Sequence, residues 1–179
     1  MEPVKILAID TATPYLVLGT LFSEVSVHRG RRHAETIFDD LDGFLDWSDL
    51  RKEELELIVV GEGPGSYTGL RIGAAAALGM ARSLAIPVVG VSTLAAVAAR
   101  RRGLARPALS ARSGHVYTAL YETKSNNPTA IIEPSKTSVA DLPAEACLLF
   151  DSPPSGKALA KLGKAAYLSG ATGVKSVYL

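Results

Sequence analysis

The residues best placed to do chemistry cluster between Leu57 and Leu94, where LIVVGEGPGSYTGLRIG opens a strand–loop–helix unit. Gly61, Gly63, Gly65 and Gly69 allow positive φ or close backbone approach, and Pro64 stiffens the turn. Such a loop suits an anion, because free N–H groups and the helix dipole meet there. Gly65, Ser66 and Thr68 are the candidate contacts. The spacing matches neither familiar phosphate loop. A P-loop needs Lys and then Ser or Thr after its last glycine, whereas Leu70 and Arg71 follow Gly69. A dinucleotide fingerprint needs G-x-G-x-x-G, and Gly63, Gly65 and Gly69 are spaced G-x-G-x-x-x-G. An anion cradle and a tight turn that draws a helix onto a sheet both remain open readings.

Other constellations are sparse. His28, His33 and His115 lack the H-x-x-x-H spacing that sets two imidazoles on one helix face, so no metal site is expected. His33 reads as a helix-start residue. No nucleophile elbow occurs, since Gly65-Ser66-Tyr67 lacks the second glycine, and no catalytic residue is assigned. Arg100, Arg101 and Arg102, with Arg106 close by, form the one concentrated charge. They read either as cations favoured at a helix C-terminus capped by Gly103 or as an RNA-facing patch.

The elements that must position these residues follow from pattern. Val4–Ile9, Tyr15–Phe22 and Glu24–Arg29 read as a three-strand meander. His33–Trp47 is an amphipathic helix with Ile37, Leu41 and Phe44 or Leu45 on one stripe. Leu57–Val60 is a buried strand, Leu70–Ala85 a small-residue helix closed by Pro87, Pro87–Val91 the next parallel strand, and Thr93–Arg102 another helix. Beyond Gly103, Pro107–Ser110 and His115–Glu122 pair as a hairpin around Ser113-Gly114. Ile131–Ser138, Ala146–Phe150 and Ala165–Ser169 are further expected strands, with a short helix over Ser155–Gly163. The 179 residues are 47% hydrophobic, enough for a substantial core. A net charge of +1 argues against the whole molecule acting as a strong nucleic-acid binder. Met1-Glu-Pro leads straight into a strand pattern, so no signal peptide is expected, and the longest apolar run, in the alanine helix, is interrupted by Arg82 and too short to span a bilayer. The single cysteine, Cys147, reads as a buried small hydrophobe in a reducing cytoplasm.

Gly63-Pro-Gly-Ser-Tyr-Thr-Gly-Leu-Arg-Ile-Gly73, followed by Val89-Gly-Val-Ser-Thr-Leu94, resembles the signature of the TsaB (YeaZ) family, bacterial accessory proteins for threonylcarbamoyladenosine in tRNA. Ile6-Leu-Ala-Ile-Asp-Thr11, His33-Ala-Glu-Thr-Ile37, Ala111-Arg112 with Gly114-His-Val-Tyr117, and Val177-Tyr-Leu179 resemble it too, in the family's order. The resemblance implies an α/β fold. Its first lobe, residues 1–103, is ribonuclease-H-like, of the actin/Hsp70/sugar-kinase superfamily, with a mixed five-stranded sheet. A smaller, reduced second lobe of the same type spans 104–179. It further implies a non-catalytic cytoplasmic scaffold that activates a TsaD-like catalytic subunit, joined by a TsaE-like ATPase, with tRNA reached through the complex.

The docking face would comprise His33, Ile37, Leu41, Phe44, Leu70, Gly73, Ala74, Ala77 and Met80, and would form a homodimer when the chain is isolated. Asp10, Thr11 and Thr13 sit where kinases of this superfamily hold a phosphate loop, and read either as nucleotide contacts or as turn formers. No cofactor is expected beyond weak ATP or ADP binding. Ser110 stands where the family pattern has an aspartate before Ala-Arg, and a hydroxyl cannot replace that charge at a Mg²⁺ site. The glycine-rich adenosine-binding segment is also missing. Both departures weigh against the alternative, a small ATP-dependent kinase or hydrolase.

Overall fold

The computed structural model describes residues 4–30, 32–124, 127–143 and 146–175. The Val177-Tyr-Leu179 motif and Met1-Glu-Pro lie outside the described residues.

The first sheet is built from β1 (Ile6–Asp10), β2 (Tyr15–Gly19), β3 (Glu24–His28), β4 (Leu57–Gly61) and β5 (Val88–Val91), in the order β3-β2-β1-β4-β5. The meander pairs antiparallel, while β1–β4 and β4–β5 are parallel. This is the mixed five-stranded arrangement that the ribonuclease-H-like reading requires. β1 and β4 are buried along their whole length, so successive residues serve opposite faces. Leu7, Ile9, Ile58 and Val60 face α1 (His33–Trp47) and α2 (Tyr67–Leu84). Ile6, Ala8, Leu57 and Val59 face the other way, onto α4 (Gly156–Leu168).

The second sheet has the order β8-β7-β6-β9, from β6 (Gly103–Ser110), β7 (His115–Lys124), β8 (Asn127–Ser138) and β9 (Cys147–Phe150). Its β6–β7 hairpin turns at Ser113 and Gly114, both at positive φ. α3 (Thr93–Ala98) packs on it through Leu94, Val97 and Ala98, against Ala105, Leu109, Ala119 and Tyr121.

Several expectations are corrected. Ala165–Ser169 is not a strand: α4 runs through to Leu168, because Ala158, Leu159, Ala160 and Gly163 form one continuous buried stripe. Gly19 and Gly156 let β2 and the start of α4 touch backbone to backbone, and a Cβ on either would overlap the other. From Gly156 onward the chain therefore leaves the second sheet and covers the first. Residues beyond α4 continue along β5, where Gly90 N donates to Gly173 O and Gly173 N to Val88 O, both at 3.0 Å. α3 ends at Ala98, short of Arg102, and Gly103 opens β6 at φ +82° rather than capping a helix. Cys147 lies half-buried on an edge strand instead of in a core. Among the described residues no helix is long and apolar enough to cross a membrane.

Candidate functional site

The glycine loop runs from β4 to α2 directly over the end of β1, and hydrogen bonds draw the two together. Asp10 is fully buried. Its Oδ1 accepts from Ala12 N at 2.8 Å, and its Oδ2 accepts from the Thr93 hydroxyl at 2.7 Å. Gly61 exists to admit this carboxylate, since a Cβ there would overlap Oδ2. Thr93 Oγ1 also accepts from Gly63 N at 3.2 Å, and Thr93 N donates back to Gly63 O at 2.9 Å. One buried hydroxyl thus ties β1, the glycine loop and α3. Burial pushes the Asp10 carboxyl up to about 6, against the opposing effect of the Thr93 and Ala12 hydrogen bonds.

The rest of the loop is likewise turned inward. Thr11 Oγ1 donates to Gly69 O at 2.7 Å, and Ser66 N donates to Ala12 O at 2.7 Å. Gly65 and Gly69 have no room for side chains, because Cβ atoms would meet the carbonyls of Ala12 and Thr11. Ser66 is the N-cap of α2, its hydroxyl accepting from Gly69 N at 3.2 Å, which starts the helix three residues before Leu70. Thr13 is buried, and its carbonyl bonds His33 Nε2 at 3.0 Å. His33 is therefore a buried tie between the meander and α1, with its Nδ1 unpartnered. Burial lowers its pKa and favours the neutral ring.

The structure thus brings Asp10, Thr11, Thr13, Gly65 and Ser66 together, as a packed joint between β1 and α2. Of the six expected anion contacts only Ser66 and Thr68 are exposed, and the Ser66 hydroxyl is engaged in the cap. The tight-turn reading describes this geometry. Among the described residues no three His, Cys, Asp or Glu side chains gather as a metal site.

Two corrections concern single residues. Ser110 does lack its own carboxylate, but Asp151, just past β9, supplies one. Ser110 N donates to Asp151 Oδ1 at 2.7 Å and the Ser110 hydroxyl to Oδ2 at 2.6 Å. Nothing local in the sequence signals this pair, which forms only because β6 and β9 are parallel neighbours. Arg100 is exposed, but its guanidinium is engaged. Its Nε donates to Pro153 O at 2.6 Å and its guanidinium to Pro154 O at 2.9 Å, clamping the entry to α4. Arg101 and Arg102 stay exposed.

The expected docking residues are mostly core. His33, Ile37, Leu41, Phe44, Leu70, Gly73 and Ala77 are buried inside the protein, and only Ala74 and Met80 reach part of the surface. Ile37, Leu41, Phe44 and Leu45 of α1 and Ala76, Ala77 and Ala81 of α2 pack into the core against the sheet. Gly73 admits the Thr11 hydroxyl instead of a partner helix. What the same helices leave exposed is Phe38 at 61% and Trp47 at 68% on α1, and Tyr67 at 58% and Leu78 at 48% on α2. Arg71, Ala75, Gly79 and Arg82 of α2 are exposed as well, and a Cβ at Gly79 would meet open space. Arg71 sits over the Tyr67 ring, 5.4 Å from its centroid.

Comparison with known proteins bears on this fold and joint. The family model described as TsaD, tRNA N6-adenosine threonylcarbamoyltransferase, matches residues 24–175. The chain is 36% identical over 144 residues to the tRNA threonylcarbamoyladenosine biosynthesis protein TsaB of Bacillus subtilis (strain 168), covering 76% of this chain and 63% of that protein. It is 36% identical over 132 residues to the protein of the same name from Escherichia coli (strain K12), covering 68% and 57%. The matches thus span about three fifths of the length of these relatives. The solved structure of YeaZ from Pseudomonas aeruginosa superposes with a TM-score of 0.86, covering 99% of this chain and all of that one, at 23% identity. The chain belongs to the family that the TsaD model describes and, within it, to the TsaB (YeaZ) proteins.

Proposed function

We propose that this protein is a non-catalytic subunit of the tRNA threonylcarbamoyladenosine-forming assembly, which binds a TsaD-like catalytic subunit and holds it in an active arrangement. A TsaE-like ATPase would complete the assembly. The observation that carries the proposal is the exposed surface of α1 and α2, which leaves Phe38 on α1 and Tyr67, Leu78, Ala75 and Gly79 on α2 open to solvent. Aromatic anchors around small residues suit close helix–helix docking, and a stable interface buries about 1,600 Å² in total. Without its partner the same face would pair with a second copy across a two-fold axis. The inward-turned loop and the buried Asp10 favour this reading over nucleotide turnover by the chain itself.

The test separates surface from core on one helix. Gly79→Trp fills open space, so it should abolish association with a TsaD-like protein while the melting temperature holds or rises. Ala77→Trp, two residues earlier and fully buried, should instead destabilise by about 1–3 kcal/mol or more through overpacking. Sedimentation of each variant, alone and mixed with the partner, reads the first effect, and thermal melts read the second. A Gly79→Trp protein that still forms the complex would refute this docking face.

A further inference from the structure

The helices on the first sheet differ in charge, and α2, beside α1, carries Arg71 and Arg82 and no carboxylate. α1 has five carboxylates between Glu35 and Asp46 and no Lys or Arg, whereas α4, on the other face, has Lys157, Lys161 and Lys164 and no Asp or Glu. The net charge of +1 conceals the basic stripe of α4. Positions 157, 161 and 164 follow i, i+4, i+7 spacing, so the three ammonium groups line one side of α4 over about 10 Å. None of them is in an ion pair among the described residues. Glu24, a carboxylate beside Lys157, is already held by the Ser155 hydroxyl at 2.7 Å and by Lys157 N at 2.9 Å. The Arg100 clamp on Pro153 and Pro154 sets Arg101 and Arg102, both exposed and likewise without ion pairs, beside the entry to α4.

We infer that the outer face of α4, extended by Arg101 and Arg102, docks the phosphate backbone of RNA. This rests on the reading of the chain as part of a tRNA-modifying assembly, which supplies the RNA. An anionic membrane is the poorer fit. An interfacial helix must offer its apolar face, and that of α4 is buried against the sheet at Ala158, Leu159, Ala160 and Gly163. An acidic protein is also a poorer fit, because protein interfaces are depleted in Lys and depend on buried anchors that this stripe lacks at its centre. A row of unpaired, flexible cations tracks a phosphate chain well, and Tyr167, exposed at the far end of α4, offers a ring for base stacking.

Anisotropy titrations of a labelled, unmodified tRNA transcript between 50 and 200 mM salt test the inference. The probes are the wild-type chain, the Lys157→Gln/Lys161→Gln/Lys164→Gln variant and the single Lys161→Glu variant, with melts to verify folding. Three phosphate contacts contribute about a 20- to 40-fold fall in affinity over that salt range. The triple variant should bind more weakly at 50 mM and lose that part of the salt dependence, and Lys161→Glu should weaken binding at unchanged melting temperature. No measurable wild-type binding at 50 mM, unchanged affinity and slope in the variants, or tighter wild-type binding to polyglutamate than to tRNA would each overturn it. Sedimentation with a TsaD-like protein, run on the same samples, separates this outcome from failure of the scaffold reading. A chain that forms that complex but binds tRNA without α4 refutes only the inference.

Discussion

Replacing Thr93 with Val tests whether one buried hydroxyl joins the glycine loop to the end of β1. The substitution preserves shape and removes two hydrogen bonds, the 2.7 Å donation to Asp10 Oδ2 and the 3.2 Å acceptance from Gly63 N. A bond to a charged acceptor contributes about 1.5–3 kcal/mol, and an orphaned buried N–H costs about 1–3 kcal/mol. Together these predict a loss of about 2.5–6 kcal/mol at pH 8, a large part of an ordinary domain's stability. The loss must also depend on pH. Burial holds the Asp10 carboxyl at about 6, above its unfolded value of 3.8, so the native state retains a proton that the unfolded state releases. Stability from this group is full below 3.8 and falls as pH rises to about 6, by roughly 3 kcal/mol in all. Without Thr93 the carboxyl rises further, so the fall steepens and extends to higher pH. Urea unfolding followed by circular dichroism at pH 4.5 and pH 8 should show Thr93→Val costing distinctly more at pH 8. Thr93→Ser, which keeps both bonds, should cost only about 1 kcal/mol for its lost methyl. In an Asp10→Asn background the pH dependence of the Thr93→Val cost should vanish. A Thr93→Val protein within 0.5 kcal/mol of wild type at pH 8, or one with the same loss at both pH values, would refute the joint.

Gly69→Val should destabilise by a few kcal/mol, because its side chain would meet the Thr11 carbonyl, and an unchanged denaturation midpoint would count against the close approach. Glu24→Ala should cost about 1–2 kcal/mol at pH 7 by freeing the start of α4. Despite the opposing effect of burial, the Lys157 N and Ser155 hydrogen bonds and the Arg100 charge hold the Glu24 carboxyl below its ordinary range. Its contribution is therefore present above about 4.5 and lost as pH falls through the depressed native value, so wild type and variant should converge in acid.

Local pattern made most of the first sheet legible. Alternating and fully apolar runs marked its five strands, and the stripe Ile37, Leu41, Phe44 and Leu45 set α1 to the residue. The glycine loop was legible as a loop. Its purpose was not, because an anion cradle and a tight joint use the same residues and differ only in where the N–H groups and hydroxyls point.

Tertiary structure decided that direction. It turned Thr93 onto Asp10 across 83 residues, and the parallel alignment of β1, β4 and β5 brings them together. It also set Asp151 on Ser110 through β6–β9 pairing and returned α4 to the first sheet. The apolar stripe of α1, and the buried side of α2, looked available to a partner because periodicity reports amphipathicity without naming the surface it meets. Once the sheet had taken that side, the residues left exposed included Phe38, Tyr67, Leu78 and Gly79, which one-dimensional pattern assigns to the solvent side.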